Sequence, residues 1–229
     1  MRRAAWLVLV LAGCPSSFYP RREPVEPPAV PTPIEGLNTE WDDYNAAKPP
    51  GLDQILYSTN RGSQGKQLDV WITSVQLSQQ PHVVGEPRPY APELMSPDDE
   101  RGPLEMSVVD FTNESMNNGA ALVFTSARSG GAGGLDLYWA ETYPAPVVHR
   151  LEHLSSLAND AYLTTKFGEV TRPRVLFASD RTGTGYDIYE ALWDSYQISG
   201  PPLIVKKLDA LSSSADDSAP FAASRSDAT

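Results

Sequence analysis

The chain has 229 residues, of which 41% are hydrophobic, so it is long enough for one or two domains with a buried core. Its formal net charge of −11 argues against binding nucleic acid or an anionic membrane surface through charge. A single cysteine excludes an intramolecular disulfide and a cysteine-based metal site, and 21 prolines with 16 glycines favour a turn-rich β protein over a helical bundle.

The first 14 residues, MRRAAWLVLVLAGC, have the order of an export signal. Two arginines precede the apolar run Ala4–Ala12, which is too short to span a bilayer as a helix. The run ends in LAGC, which resembles the bacterial lipobox. This resemblance implies that residues 1–13 are a signal peptide and that Cys14 becomes acylated and anchors the chain. The alternative is an ordinary signal peptide followed by a chance cysteine.

Residues 14–36 contain the lipidated cysteine and a proline-rich segment, with seven prolines between Pro15 and Pro33. Proline lacks the backbone N–H that helices and sheets use, so we predict a semi-rigid tether of polyproline II character. Pro15 follows Cys14 where an Asp would resemble an inner-membrane retention signal. We therefore expect a cell-envelope protein at the outer membrane, facing the periplasm.

Three later stretches share one pattern: strand-forming residues, small hydroxyl residues, an arginine, a glycine-containing loop, and then Asp-aliphatic-aromatic. They are ILYSTNRGSQGKQLDVWITS from Ile55, LVFTSARSGGAGGLDLYWAE from Leu122, and VLFASDRTGTGYDIYEAL from Val175. The matched positions are Arg61, Arg128 and Arg181, Asp69, Asp136 and Asp187, and Trp71, Tyr138 and Tyr189. Recurrence in register indicates an internal repeat. A phosphate-binding loop, the alternative for the glycines, needs Lys-Ser/Thr at the start of a helix, whereas strand-like residues follow here.

Each repeat contains four predicted strands separated by Gly, Asn and Pro. In the second repeat they are 107–112, 120–127, 135–141 and 146–151. VHRLEHLSSLAND, residues 148–160, matches VKKLDALSSSADD, residues 205–217, without gaps, and LNTEWDDYNAA from Leu37 resembles both. We interpret this element as the connector between units. The proline-rich segment Gly85–Pro103, with Asp98-Asp99-Glu100, is predicted to be an exposed loop carrying solvated charge.

The recurring motif apolar-aromatic-x-[Ser/Thr]-x-Arg, then Asp-Ile-Tyr, then Leu, Ser-Ser and Asp-Asp, resembles the TolB-type, WD-like β-propeller repeat of bacterial envelope proteins, including those with OmpA-type domains. The resemblance implies an all-β fold of radial, propeller-like blades, each of four antiparallel strands. The expected units are a partial propeller domain over 37–229, with blades at about 37–95, 96–154 and 155–211 and a stub at 212–229. Three blades and a stub form an incomplete propeller, either truncated or completed by another chain.

The repeated polar residues have two interpretations. Each arginine either pairs with the aspartate of its own hairpin, or that aspartate accepts amide hydrogens of its own turn. The aromatic residues at Trp71, Tyr138 and Tyr189 either fill space between sheets or form a sugar-stacking platform. Because these features recur in every unit, we expect them to be structural.

The sequence indicates no catalytic centre and no cofactor. His149, Glu152 and His153 spell HxxEH, but a zinc peptidase needs both histidines on a helix, and this segment has a strand pattern. We expect a membrane-anchored, non-catalytic lipoprotein that binds or scaffolds an envelope protein or a peptidoglycan-associated partner, and no nucleic acid. The alternatives are a fragment of a propeller-containing hydrolase or peptidase, or a carbohydrate- or calcium-binding module.

Overall fold

The computed structural model of the chain describes residues 33–49, 52–76, 83–107, 111–112, 119–142, 146–165, 173–194 and 197–220. These residues form three antiparallel sheets of four to five strands and contain no α-helix, which confirms the all-β expectation. The predicted signal peptide, Cys14 and nearly all of the predicted tether lie outside the described residues.

None of the described segments forms a helix long and apolar enough to span a membrane.

Each sheet is built from strands that follow one another along the chain. The first sheet contains β1 (Asp43–Ala47), β2 (Gln54–Thr59), β3 (Asp69–Gln76), β4 (Val83–Val84) and β5 (Arg88–Pro89). The second contains β6 (Glu100–Ser107), β7 (Ala120–Ser126), β8 (Asp136–Glu141) and β9 (Val147–Arg150). The third contains β10 (Asp160–Thr165), β11 (Arg174–Ser179), β12 (Asp187–Leu192) and β13 (Ile204–Lys207). Neighbouring strands pair in the antiparallel sense, and in the first sheet both β4 and β5 pair with β3.

One hydrophobic core lies between the first and second sheets, and another lies between the second and third sheets. Both form because alternate residues of each central strand face opposite sides of the sheet. In β7, Leu122 and Phe124 pack toward the first sheet, against residues such as Leu56 and Ile72. Val123 lies between them in sequence and packs in the other core, with residues of the third sheet. The second sheet is therefore buried on both faces, and its central strands contain mainly apolar residues.

The first strand of every sheet carries a matched irregularity. Asn45, Gly102 and Tyr162, each two residues after the acid that opens the strand, have φ values of +50°, +58° and +57°. The pairing register with the second strand shifts at the same point in all three sheets. A left-handed residue inside a strand marks a bulge, which bends the strand locally. The internal repeat therefore extends to backbone conformation.

The second sheet corrects the predicted start of its first strand. This strand begins at Glu100, and Ser107, where we predicted it to begin, is its last residue. The predicted exposed loop Gly85–Pro103 also contains β5 and a 3-10 turn that buries Leu94 to 2% exposure. Glu100 is fully buried rather than solvated. Prolines and a Glu in place of Asp concealed this copy of the connector.

Candidate functional site

One arginine of each sheet has the same set of neighbours. We call the arginine, together with the carbonyl, carboxylate, hydroxyl and two rings that it contacts, an arginine cluster. In the second sheet, Arg128 lies two residues after the last residue of β7. Its Nη2 donates to the carbonyl oxygen of Leu94 at 2.8 Å and to Glu100 Oε1 at 3.1 Å. Its Nε donates to Ser126 Oγ at 3.1 Å, and its backbone N–H donates to the same oxygen, also at 3.1 Å. The side chain therefore ties the end of β7 to the start of β6 and to the preceding connector.

The other two arginines repeat these contacts. Each donates from Nη2 to a leucine carbonyl and to the acid that opens the first strand, and from Nε to a hydroxyl that ends the second strand. For Arg61 the acceptors are Leu37 O at 2.7 Å, Asp43 Oδ1 at 3.0 Å and Thr59 Oγ1 at 3.3 Å. For Arg181 they are Leu154 O at 2.8 Å, Asp160 Oδ1 at 2.6 Å and Ser179 Oγ at 2.8 Å.

Two aromatic rings lie next to every guanidinium, one from the second strand and one from the third. The ring pairs are Tyr57 with Trp71, Phe124 with Tyr138, and Phe177 with Tyr189, and the guanidinium carbon lies 4.8 to 5.6 Å from their centroids. This geometry permits a cation–π contact with each ring. The sequence motif includes the second-strand ring, four positions before each arginine, but a role was assigned only to the third-strand rings.

The carboxylate partner of each arginine differs from the one proposed from the sequence. Asp69, Asp136 and Asp187 do not take the guanidinium. Asp136 Oδ2 instead accepts the amide hydrogens of Ala132 at 2.7 Å and Gly133 at 3.2 Å, which was the alternative interpretation.

The other two aspartates have side-chain partners of their own. Asp187 pairs with Lys207 at 2.8 Å, and Asp69 accepts a hydrogen bond from Gln67 Nε2 at 3.1 Å. In each sheet the last residue of the second strand lies opposite one acid on the first strand and another on the third strand. The arginine pairs with the acid on the first strand.

Burial sets the electrostatics of these pairs. Burial raises the pKa of Glu100, and it outweighs the hydrogen bonds from Ser96 and Ser126 and the charge of Arg128. At the matched position in the first sheet, burial opposes ionisation too, but hydrogen bonds from neighbours that include Arg61 hold the pKa of Asp43 below its usual value. The Glu100 side chain is 0% exposed and that of Asp43 is 11% exposed, so the second-sheet pair is the less hydrated of the two.

The connectors also join one sheet to the next. Leu68, just before β3, donates its N–H to Asp99 Oδ1 at 3.0 Å, and its carbonyl accepts the N–H of Glu100 at 2.7 Å. Leu135, just before β8, makes the same two bonds with Asn159 Oδ1 at 2.9 Å and Asp160 N at 2.7 Å. In both junctions two hydrogen bonds therefore join the end of a hairpin loop to the connector that follows that sheet.

The glycine-rich loop of the second hairpin lies at such a junction. A Cβ on Gly133 would overlap the carbonyl oxygen of Ala158, and one on Gly134 would overlap Asn159 Oδ1. Both neighbours belong to the connector that leads into the third sheet. The loop ends directly in a strand rather than a helix, so it lacks the anion-binding geometry of a phosphate loop. Close approach of the hairpin to the connector accounts for these glycines.

We expect Gly133→Ala to lower the free energy of unfolding by about 2 kcal/mol, because the added methyl group forces the hairpin and the connector apart. The measurement is urea unfolding followed by circular dichroism. Gly130→Asn is the matched control: Gly130 has φ +88° and nothing lies within 4 Å of its added Cβ, and asparagine tolerates this backbone. Equal losses in the two variants would contradict the role assigned to the junction.

The HxxEH segment has a structural environment. His149 lies on β9 and stacks on Trp139 with ring centroids 4.5 Å apart, and Trp139 stacks in turn on Phe111 at 4.6 Å. The segment is thus a strand at His149, as the sequence predicted, and His153 lies on an exposed turn. No group of three or more potential metal-ligating side chains occurs in the ranges that the structure describes.

The arginine clusters bind parts of the chain to each other. In every cluster the guanidinium hydrogen bonds are directed to a protein carbonyl, a carboxylate and a hydroxyl, and two rings of the same hairpin lie within 5.6 Å of the guanidinium carbon. Such an arrangement holds the strands of one sheet in position. Comparison of the chain with protein-family models, with curated proteins and with solved structures returned no match in any of the three.

Proposed function

We propose that the chain is a membrane-anchored, non-catalytic binding module of the bacterial cell envelope. In this proposal Cys14 carries the acyl chains, the proline-rich tether spaces the sheets from the outer membrane on the periplasmic side, and the β domain binds an envelope protein or a peptidoglycan-associated partner. The lipobox-like sequence LAGC directly after a short apolar run carries the proposal. Two or three acyl chains on one residue are sufficient for stable anchoring, whereas one is marginal.

We infer that the three sheets are blades of a TolB-like propeller. Three observations support this: the sheets are consecutive, their central strands pack face to face, and one connector geometry leads from each into the next. The same repetition supports a non-catalytic role. A catalytic group is ordinarily unique in a chain, whereas Arg61, Arg128 and Arg181 make equivalent contacts in every sheet.

The anchor gives a direct prediction. We expect Cys14→Ser to move the chain from the membrane fraction to the soluble envelope fraction, because serine provides no thiol for acylation. The measurement is sedimentation of membranes from cells that express each form, with labelled palmitate as a second readout. Ser16→Ala, two residues further along, is the control and leaves the distribution unchanged. A Cys14→Ser chain that still sediments with membranes contradicts the anchor.

Binding is tested by crosslinking in intact cells followed by capture of the tagged, acylated chain. We expect a recurrent envelope partner that is retained by the acylated chain and reduced with Cys14→Ser, because the anchor keeps the module beside that partner. A chain that is acylated and folded but captures nothing above the level of an unrelated lipoprotein would contradict the binding role and leave the anchor intact.

A further inference from the structure

The connector after the third sheet, residues 208–217, repeats the geometry of the connectors that open the three sheets. Ser213 N donates to Asp217 Oδ2 at 2.5 Å, and Ala215 N donates to Ser213 Oγ at 3.1 Å. The same two bonds occur in the first, second and third connectors at Thr39, Ser96 and Ser156. The turn that positions the carboxylate is therefore formed a fourth time.

This fourth connector also makes the junction to the sheet before it. Tyr186, just before β12, donates its N–H to Asp216 Oδ1 at 2.9 Å and accepts the N–H of Asp217 at 2.8 Å. Ala219, two residues after Asp217, has φ +52°, matching the left-handed residue in the first strand of every sheet. Residues 208–220 thus have the conformation of a connector followed by the start of a first strand.

The fourth copy differs in what covers it. Leu37, Leu94 and Leu154, whose carbonyls accept the three arginines, have side chains that are 9%, 2% and 1% exposed. Leu211 holds the matched position and is 54% exposed. Among the described residues no guanidinium bonds to Leu211 O or to Asp217. The two acceptors that bind an arginine elsewhere are therefore both present here, and within the described residues neither of them holds one.

A pocket surrounds these acceptors on the outer face of the third sheet. Its apolar floor is formed by Leu176 of β11 and Ile188 of β12, and its rim by Leu211, Asp217 and Pro220. The floor residues match Val123 and Leu137 of the second sheet, which are fully buried in the core shared with the third sheet. In the third sheet the matched residues Leu176 and Ile188 are 7% and 5% exposed and line this pocket beside the fourth connector instead of packing in either of the two cores between sheets.

We propose that this pocket binds an arginine-bearing β-hairpin of a separate polypeptide, with the pattern aromatic-x-[Ser/Thr]-x-Arg at the end of its first strand. The guanidinium bonds to Asp217 and to the carbonyl of Leu211, and the hairpin pairs beside residues 217–220. The proposal rests on the proposed function, because it names the surface and the partner chemistry of that binding module.

The internal copies define this partner chemistry. In each arginine cluster the arginine, the hydroxyl and both rings come from one hairpin, while the connector supplies only the leucine carbonyl and the carboxylate. An incoming hairpin therefore brings everything that the fourth connector lacks. A cationic group also suits a carboxylate on a chain of net charge −11. Arg61, Arg128 and Arg181, which carry the pattern, already bond to their own connectors, so a second copy would have to break one of these clusters to donate its hairpin.

The test uses the full-length chain in detergent and a synthetic peptide of residues Arg174–Leu192, which carries the pattern. Isothermal titration measures its affinity, and a peptide with Arg181→Gln is the control. We expect saturable binding that weakens about 10- to 100-fold with Asp217→Asn on the chain or with Arg181→Gln on the peptide, as for loss of a charge-assisted hydrogen bond. Leu211→Glu is a second chain variant; because this side chain is exposed, the change reaches the pocket without altering a core.

Three outcomes overturn the proposal. They are no binding of the peptide, binding that ignores both substitutions, and self-association of the chain that Asp217→Asn abolishes, which would make a second copy the occupant. Circular dichroism of each variant verifies the fold. Membrane sedimentation of the full-length chain reports on the Cys14 anchor in the same samples, so failure of the pocket and failure of the anchor are distinguished.

Discussion

Arg128→Ala is expected to lower the free energy of unfolding by about 3–5 kcal/mol, the range found when one partner of a buried ion pair is removed. The substitution leaves the Glu100 carboxylate, whose side chain is 0% exposed, without its cation. It also leaves the carbonyl of Leu94 without this donor and removes the contacts with two aromatic rings. The measurement is urea unfolding of the full-length chain in detergent, followed by tryptophan fluorescence and circular dichroism.

The loss should depend on pH with a defined sign. The pKa of Glu100 is raised in the folded chain, so the folded state holds its proton more tightly than the unfolded state. Stability from this group is fully present below the unfolded pKa, which is about 4.3, and is lost as pH rises through the folded value. Without Arg128 the folded pKa rises further, so the deficit of Arg128→Ala shrinks as the solution is acidified toward that unfolded value.

Two other variants calibrate the result. Arg61→Ala removes the matched arginine of the first sheet, whose carboxylate partner Asp43 is more hydrated, and we expect a smaller loss. Lys66→Ala changes an exposed cation and is expected to stay within about 0.5 kcal/mol of the parent chain. Equal losses for Arg128→Ala and Lys66→Ala would show that the cluster contributes nothing to stability.

Trp193→Ala is the second change with a large expected effect, again about 3–5 kcal/mol of unfolding free energy. Trp193 lies directly after β12, is 0% exposed and belongs to the core between the second and third sheets. Its Nε1 donates to the carbonyl of Gly200 at 2.8 Å, which ties the loop before β13 to that core. Alanine leaves a large cavity and a carbonyl without this donor.

Trp193→Phe separates these two contributions. Phenylalanine retains most of the buried volume and loses only the hydrogen bond to Gly200, so we expect about 1–2 kcal/mol. Leu203→Ala, at a side chain that is 54% exposed, is the surface control and should change stability by less than about 0.5 kcal/mol. Thermal unfolding by differential scanning calorimetry measures all three variants. A Trp193→Ala chain as stable as Leu203→Ala would contradict the assigned core.

The sequence predicted four strands in each repeat because the residues alternate and the turns contain Gly, Asn and Pro, but it placed β5 of the first sheet in an exposed loop. It also predicted the connectors at residues 148–160 and 205–217, in which the Ser-Ser pair and the final aspartate are both present. The second connector was missed because Glu100 replaces the aspartate and prolines surround it. Glu100 directly follows Asp98 and Asp99, and the amino-acid sequence of such an acidic run does not show that one of its members is buried.

The partner of each arginine was predicted wrongly for a different reason. Arg128 and Asp136 belong to one hairpin and are close in sequence, whereas Glu100 lies 28 residues before Arg128. Ser126 lies between Glu100 on β6 and Asp136 on β8. The pairing of β6 with β7 and the direction of the Arg128 side chain decide which of these two acids binds the guanidinium. Register between strands separated by a long segment follows from packing, which local pattern does not encode.

The middle position of the second sheet has a consequence for how the domain breaks down. That sheet contributes to both large cores, and each outer sheet shares one of them with it. In a linear array of this kind, stability is close to a sum of unit and nearest-neighbour terms. Loss of an outer sheet removes one neighbour term, whereas loss of the central one removes two. Local unfolding should therefore begin at the two ends of the array and reach the centre last, so that damage near either end is tolerated more readily than damage in the centre.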